Sequence, residues 1–96
     1  MTKEDARYFA KTMSDFQREV ILLCSPEKSW GYTRLAEKTG SNYGDVKSVG
    51  DYLQSANLAR IEHVRHGQEF AGSAIFLSER GEQVRLAVER IEERKK

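Results

Sequence analysis

The chain has 96 residues, of which 39% are hydrophobic and 32% charged, with a formal net charge of +1. This suits one domain with a modest core and lacks the overall basic balance that marks many nucleic-acid binders. No run of about 18 apolar residues is present to span a membrane, Lys3, Glu4, Asp5 and Arg7 argue against a secretory signal, and the lone Cys24 excludes an internal disulfide and fits a reducing, cytoplasmic setting.

Residues 2 to 12 read as a helix. Thr2 can cap it, Glu4 and Asp5 favour its first turn, and Ala6, Phe9, Ala10 and Met13 make one apolar stripe. Ser14 with Gln17 has the spacing of a second capping box. Either one helix runs to Leu23 or two meet near Met13. The run Val20-Ile21-Leu22-Leu23-Cys24 is apolar all round, which predicts deep burial. Pro26 disfavours a helical Ser25, so this helix ends by Cys24. Trp30, just before the cap residue Gly31, stands five residues from Leu35 and fits a hydrophobic staple. Trp30 could also pair briefly with a later strand.

The stretch Gly31 to Ala56 reads as two helices broken at Thr39-Gly40-Ser41-Asn42. Leu35 and Ala36 face inward on the first. Val46, Val49 and Leu53 repeat at three and four on the second. Gly40 sits where the chain leaves a helix, and glycine takes the left-handed conformation there without steric cost. Asn42 offers a cap to the next helix, with Asp45 in its first turn. Two amphipathic helices about a tight turn make a helix-turn-helix, whose common use is to lay the second helix in the DNA major groove.

Asn57 can take a left-handed C-cap. Leu58 to Val64 then reads as a strand, Arg65 to Glu69 as a turn, and Phe70 to Leu77 as the returning strand, with a bulge expected at Gly72. Ser78 caps a last helix from about Glu79 to Arg94, with Val84, Ala87, Val88 and Ile91 as its apolar stripe. Repeats, low-complexity tracts and linkers are absent from the sequence.

The predicted fold is mainly α with a small β-hairpin: a winged helix-turn-helix with flanking N- and C-terminal helices. One domain over 1–96 is expected, with an N-terminal helix at 1–13, helix-turn-helix and wing at 14–77, and a C-terminal helix at 78–96. Details resemble the MarR-like group of bacterial and archaeal transcriptional regulators over roughly residues 13 to 84. Met13 to Gln17 leading to Val20 and Leu23 is similar to that group's first domain helix. Leu35-Ala36 with Gly40 resembles its second helix and turn, and Val46, Val49 and Leu53 followed by Asn57-Leu58 its recognition helix and exit. Leu77-Ser78-Glu79-Arg80-Gly81 resembles the signature after the wing. Asn57 stands where the family commonly has Gly, and Glu62 and Glu69 offset Arg60 and Arg65 in a wing less basic than usual. The chain is also shorter than a typical subunit of this family, so a full ligand pocket between long helical arms is not expected.

The resemblance implies sequence-specific binding of double-stranded DNA by a homodimer, with a recognition helix over about 42–56 and a role in transcription. With Val46, Val49 and Leu53 inward, Asn42, Tyr43, Gly44, Lys47 and Ser48 face out, together with Asp51. Asn42 and Ser48 can read base edges, Tyr43 a phosphate or a thymine methyl, and Lys47 a phosphate, while Gly44 lets the backbone come close. Arg65 and His66 at the wing tip can reach the minor groove, and Arg34 and Lys38 the DNA backbone. The stripes Ala6-Phe9-Met13 and Val84-Val88-Ile91 exceed what a small core needs and predict a dimer through a terminal helix. The alternative is a winged-helix protein-interaction module without DNA binding, which the acidic balance of the second helix favours. Nothing marks an enzyme, a cofactor or a small-molecule ligand. His63 and His66 lack the partners of a metal site, and Cys24, at the end of an apolar run, reads as a small buried hydrophobe and not as a redox switch.

Overall fold

In the computed structural model, which describes residues 2–27, 30–66 and 70–94, five helices and one hairpin follow in the predicted order. Helix α1 spans Lys3–Thr12 and α2 spans Asp15–Leu23. Two helices, not one, occupy the N-terminal third because each start carries its own reciprocal cap. The Thr2 hydroxyl accepts from the Asp5 amide and the Ser14 hydroxyl from the Gln17 amide, both at 3.1 Å. The Asp5 and Gln17 side chains answer the cap amides in return. Met13 lies between them in an extended conformation, with φ −71° and ψ 144°.

Arg18 locks this corner. Its Nε donates to the Ala10 carbonyl at 2.9 Å and its Nη2 to that of Lys11 at 3.2 Å, while Nη1 lies 4.0 Å from Glu92. These carbonyls belong to the last turn of α1, which has no partner within its own helix.

Helix α3 spans Tyr32–Thr39 and α4 spans Tyr43–Ser55. Gly40 ends α3 at φ 67°, and the Ser41 amide reaches back to the Ala36 carbonyl at 2.9 Å. That is the six-to-one bond of a helix leaving through the left-handed region. Asn42 caps α4 as expected, its side-chain oxygen accepting from the Asp45 amide at 2.9 Å. At the far end Asn57 takes φ 61°, and the Leu58 amide closes onto the Leu53 carbonyl at 2.8 Å.

Strands β1 (Ala59–His66) and β2 (Phe70–Leu77) pair antiparallel from Ala59↔Leu77 to His66↔Phe70. Two expectations need correction. The pairing runs through Val64↔Gly72 with no residue left over, so no bulge occurs at Gly72. Arg65 and His66, expected in the turn, are the last two residues of β1, because the ladder continues past Val64. The brief pairing expected of Trp30 falls on its neighbour, as Gly31 bridges to Ala74 of β2.

Helix α5 spans Glu79–Arg94 and is bolted to the start of the hairpin. The Ser78 amide donates to the Leu58 carbonyl at 2.9 Å, and its hydroxyl donates to the Asn57 carbonyl while accepting from the Gly81 amide. A methyl group at Gly81 would stand 1.8 Å from the Leu58 carbonyl oxygen, so only glycine fits this joint.

One apolar cluster ties the elements together. Val20, Ile21, Leu35, Val46, Leu53, Leu58, Ile75, Leu77, Val84 and Val88 are fully enclosed, each worth about 1.5–3 kcal/mol of burial. Helix α1 lies along α5, and Ala6, Ala10 and Met13 are buried. The stripes expected to be surplus are thus largely consumed within the chain. The large apolar side chains left exposed among the described residues are Tyr8, Tyr43 and Leu86.

Candidate nucleic-acid interface

Helix α4 presents one open face. Val46, Val49, Gly50 and Leu53 turn inward, and Asn42, Tyr43, Gly44, Lys47, Ser48 and Asp51 are all exposed. The inward set fixes the rotation of the helix and therefore brings the expected readers onto one side. Gly50, to which the sequence pattern gave no role, sets how closely α4 lies on α3. A methyl group there would stand 2.6 Å from the Tyr32 hydroxyl, so glycine makes room for this buried ring. Tyr32 in turn meets Tyr43 edge-on, with centroids 5.4 Å apart, and props Tyr43 at the first turn of α4. Burial and the nearby Asp51 carboxylate push the Tyr32 phenol up to about 12, so it stays neutral.

The polar side chains expected to read DNA already have local partners. The Asn42 oxygen serves as the helix cap, and the Ser48 hydroxyl donates to the Gly44 carbonyl at 3.1 Å. Lys47 Nζ lies 3.0 Å from Asp51 one turn on, with both side chains more than half exposed. Such an exposed pair is worth only about 0.3–0.5 kcal/mol and opens readily toward a stronger anion. A methyl group added at Gly44 would meet only the Asn42 oxygen within 4 Å, so the backbone there is open to approach.

Arg34 and Lys38 project from α3 over the face of Trp30, at 5.2 and 4.5 Å from the ring centroid. One half-buried indole thereby gathers two cations a helical turn apart, through the attraction of a positive group to an aromatic face. The sequence held both cations as candidates. It did not link them to Trp30, because the loop before α3 hides that proximity.

Arg65 and His66 end β1 by backbone, and their side chains lie outside the described region, as do Gly67, Gln68 and Glu69 of the expected wing tip. Lower on the wing, the Arg60 guanidinium pairs with Glu62 at 2.9 Å and covers Phe76, while His63 Nδ1 and the Ser73 hydroxyl share a hydrogen bond at 2.9 Å. Among the described residues no cluster of three or more His, Cys, Asp or Glu side chains is placed to hold a metal ion, and no helix is long and apolar enough to cross a membrane. Cys24 is buried, which pushes its thiol up to about 12 and leaves it protonated and unreactive.

No protein-family model and no curated protein sequence matches the chain. Several solved structures match its fold. A MarR family transcription regulator superposes with a TM-score of 0.70 at 19% identity, covering 97% of this chain and 60% of that one. The PcaV transcriptional regulator from Streptomyces coelicolor, solved with its natural ligand, gives 0.64 at 19% identity, covering 90% of this chain and 64% of its own. RV1404 from Mycobacterium tuberculosis gives 0.59 at 19% identity, covering 95% of this chain and 66% of its own. The chain therefore has the winged-helix fold of MarR-type regulators, and it spans less than two thirds of the length of each of these three neighbours.

Proposed function

We propose that this chain is a sequence-specific DNA-binding transcriptional regulator that acts in the cytoplasm as a homodimer, with α4 in the major groove. The observation that carries the reading is the single open face of α4, which holds Asn42, Tyr43, Gly44, Lys47 and Ser48 together on a winged-helix frame. Asn42 and Ser48 lie where base edges pass, and Lys47 exchanges Asp51 for a phosphate. Arg34 and Lys38, fixed over Trp30, hold the backbone beside that groove, and Arg65 and His66 on the wing reach the flanking minor groove. Two copies present two recognition helices about one helical turn apart on a two-fold site. Tyr8, 66% exposed beside Phe9 on α1, is the apolar surface such a pairing would cover.

The test is fluorescence anisotropy with labelled duplex DNA that includes the upstream region of the protein's own gene, at two salt concentrations. Lys47→Ala and Arg65→Ala are run in parallel, with the mass in solution measured by light scattering. Removing a cation that neutralises one phosphate should lower the salt slope by about 0.9. A monomer would remove the two-fold arrangement. Binding indifferent to both substitutions would refute the placement of α4 and the wing.

The balance on α4 supports a second reading. Asp45 and Asp51 outnumber Lys47, and the lysine is paired. A folded protein with no DNA affinity at low salt would make this scaffold a protein-interaction module instead.

A further inference from the structure

We propose that the cleft between α1 and α5 is a docking groove for an acidic amphipathic helix of a protein partner, because two cationic rows there flank an apolar floor. This inference does not rest on the DNA-binding reading.

The cleft encloses about 310 Å³ on the side of the molecule where α1 lies against α5. Lys3, Arg7 and Lys11 form one bank and Arg90 and Arg94 the other. Residues four apart align along a helix, so each bank is a straight row of like charge. All five are exposed, and among the described residues none is ion-paired. In a chain whose net charge is only +1, this is a marked local concentration of unneutralised cations.

The floor between the rows is apolar. It consists of Ala6, Ala87 and Ile91, with Leu86 46% exposed beside them. Gln83 lines the same cleft, and its side-chain carbonyl oxygen is buried without a hydrogen-bond partner among the described residues. That oxygen is enclosed, out of reach of a ligand seated in the groove.

A ligand that matches the cationic rows and the apolar floor is anionic along both edges and apolar along its centre. A helix with an apolar stripe between two rows of carboxylates has that form and uses the familiar helix-in-groove mode. The row from Lys3 to Lys11 rises about 12 Å over eight residue steps, enough for about two turns of such a helix. A DNA backbone would neutralise the cations but leave Leu86 and Ile91 uncovered. A second copy packed groove to groove about a two-fold axis would set five cations against five. Charge complementarity therefore selects an acidic helix from another protein.

The probe is a fluorescein-labelled synthetic peptide of about 14 residues, with Leu at spacings of three and four and Glu on both flanks. Its comparator has the same residues scrambled so that the stripe is lost. Anisotropy with the full chain should show the amphipathic peptide binding at least tenfold more tightly than the scrambled one. Arg7→Glu, Arg90→Glu and Leu86→Ser should each weaken it by about tenfold or more, and added salt should weaken it further. All three positions are solvent-facing, and circular dichroism with thermal melting checks that each variant stays folded. Equal binding of both peptides would reduce the groove to a nonspecific polycation and overturn the proposal, as would no binding. A fall in solution mass in the groove variants would assign the groove to a second copy, and an equal fall in DNA affinity would assign it to DNA. Either outcome also overturns it.

Discussion

Replacing Gly81 with alanine should break the joint between α5 and the hairpin. The added methyl carbon would stand 1.8 Å from the Leu58 carbonyl oxygen, 2.9 Å from its carbon and 3.3 Å from Leu77 Cδ2. A close carbon–oxygen approach needs about 3.3 Å, so α5 and the start of β1 must separate by roughly 1.5 Å. Leu58 cannot yield alone, because its carbonyl accepts from Ser78 at 2.9 Å and its amide closes α4. Separation sacrifices the Ser78–Leu58 bond and strains the Ser78 cap on Gly81. Those terms cost about 1 kcal/mol each, and overpacking adds about 1–3 kcal/mol. Alanine's helix propensity returns roughly 1 kcal/mol. The net loss is about 2–4 kcal/mol, which at this length lowers the melting temperature by more than about 8 °C. Urea unfolding followed by circular dichroism, with a calorimetric melt, measures it. A melting temperature within about 3 °C of the parent would refute the idea that α5 is seated on the Leu58 carbonyl.

Gly44→Ala should have the opposite sign for stability. Its methyl group meets only the Asn42 oxygen, at 3.4 Å, so thermal melting should show a gain of about 0.5 kcal/mol, while anisotropy shows weaker DNA binding if the backbone of Gly44 approaches the duplex. Arg18→Ala should cost about 2–3 kcal/mol in urea unfolding, since two carbonyls of α1 lose a charged donor. Cys24 should resist alkylation at pH 8 until the protein unfolds. Its thiol is held protonated to about 12 in the folded chain against an ordinary value of 9.0, so its contribution to stability is complete below pH 9 and is lost as pH rises toward 12. Alkaline denaturation of Cys24→Ala should accordingly be less steep.

Local chemistry made most of the frame legible. Thr2 with Asp5, Ser14 with Gln17, Gly40 and Asn57 each fix a helix end through neighbours within a few residues, and all four appear where the sequence places them. Features set by distant residues were not legible. The ladder's continuation to His66 depends on cross-strand pairing, which imperfect alternation left undetermined. The fate of the outer apolar stripes depended on α1 lying along α5, which joins the two ends of the chain. At the candidate interface the open face of α4 followed from the spacing of Val46, Val49 and Leu53. The role of Gly50 beneath Tyr32 and the stacking of Arg34 and Lys38 on Trp30 did not, because each joins two elements.

The charge balance of α4 yields a last prediction. An unfavourable helix for DNA is one whose anions sit among its readers, and here Asp51 lies both on the open face and 3.0 Å from Lys47. Asp45 stands in the first turn, where the helix dipole favours it. Asp51 has no comparable role in the fold, since its pair with Lys47 is exposed at both ends and worth about 0.3–0.5 kcal/mol. Asp51→Asn should therefore leave the melting temperature nearly unchanged. It removes one negative charge from the face proposed to meet phosphate and releases Lys47 from its competitor. DNA affinity at low salt should rise several-fold, and the salt slope should steepen by up to about 0.9, the share of one further neutralised phosphate. The gain should vanish in the double variant with Lys47→Ala, because the cycle isolates their coupling. An affinity unchanged by Asp51→Asn would mean that phosphate does not approach this part of α4. A gain that survived the loss of Lys47 would assign the effect to general repulsion by Asp51 and not to the pair.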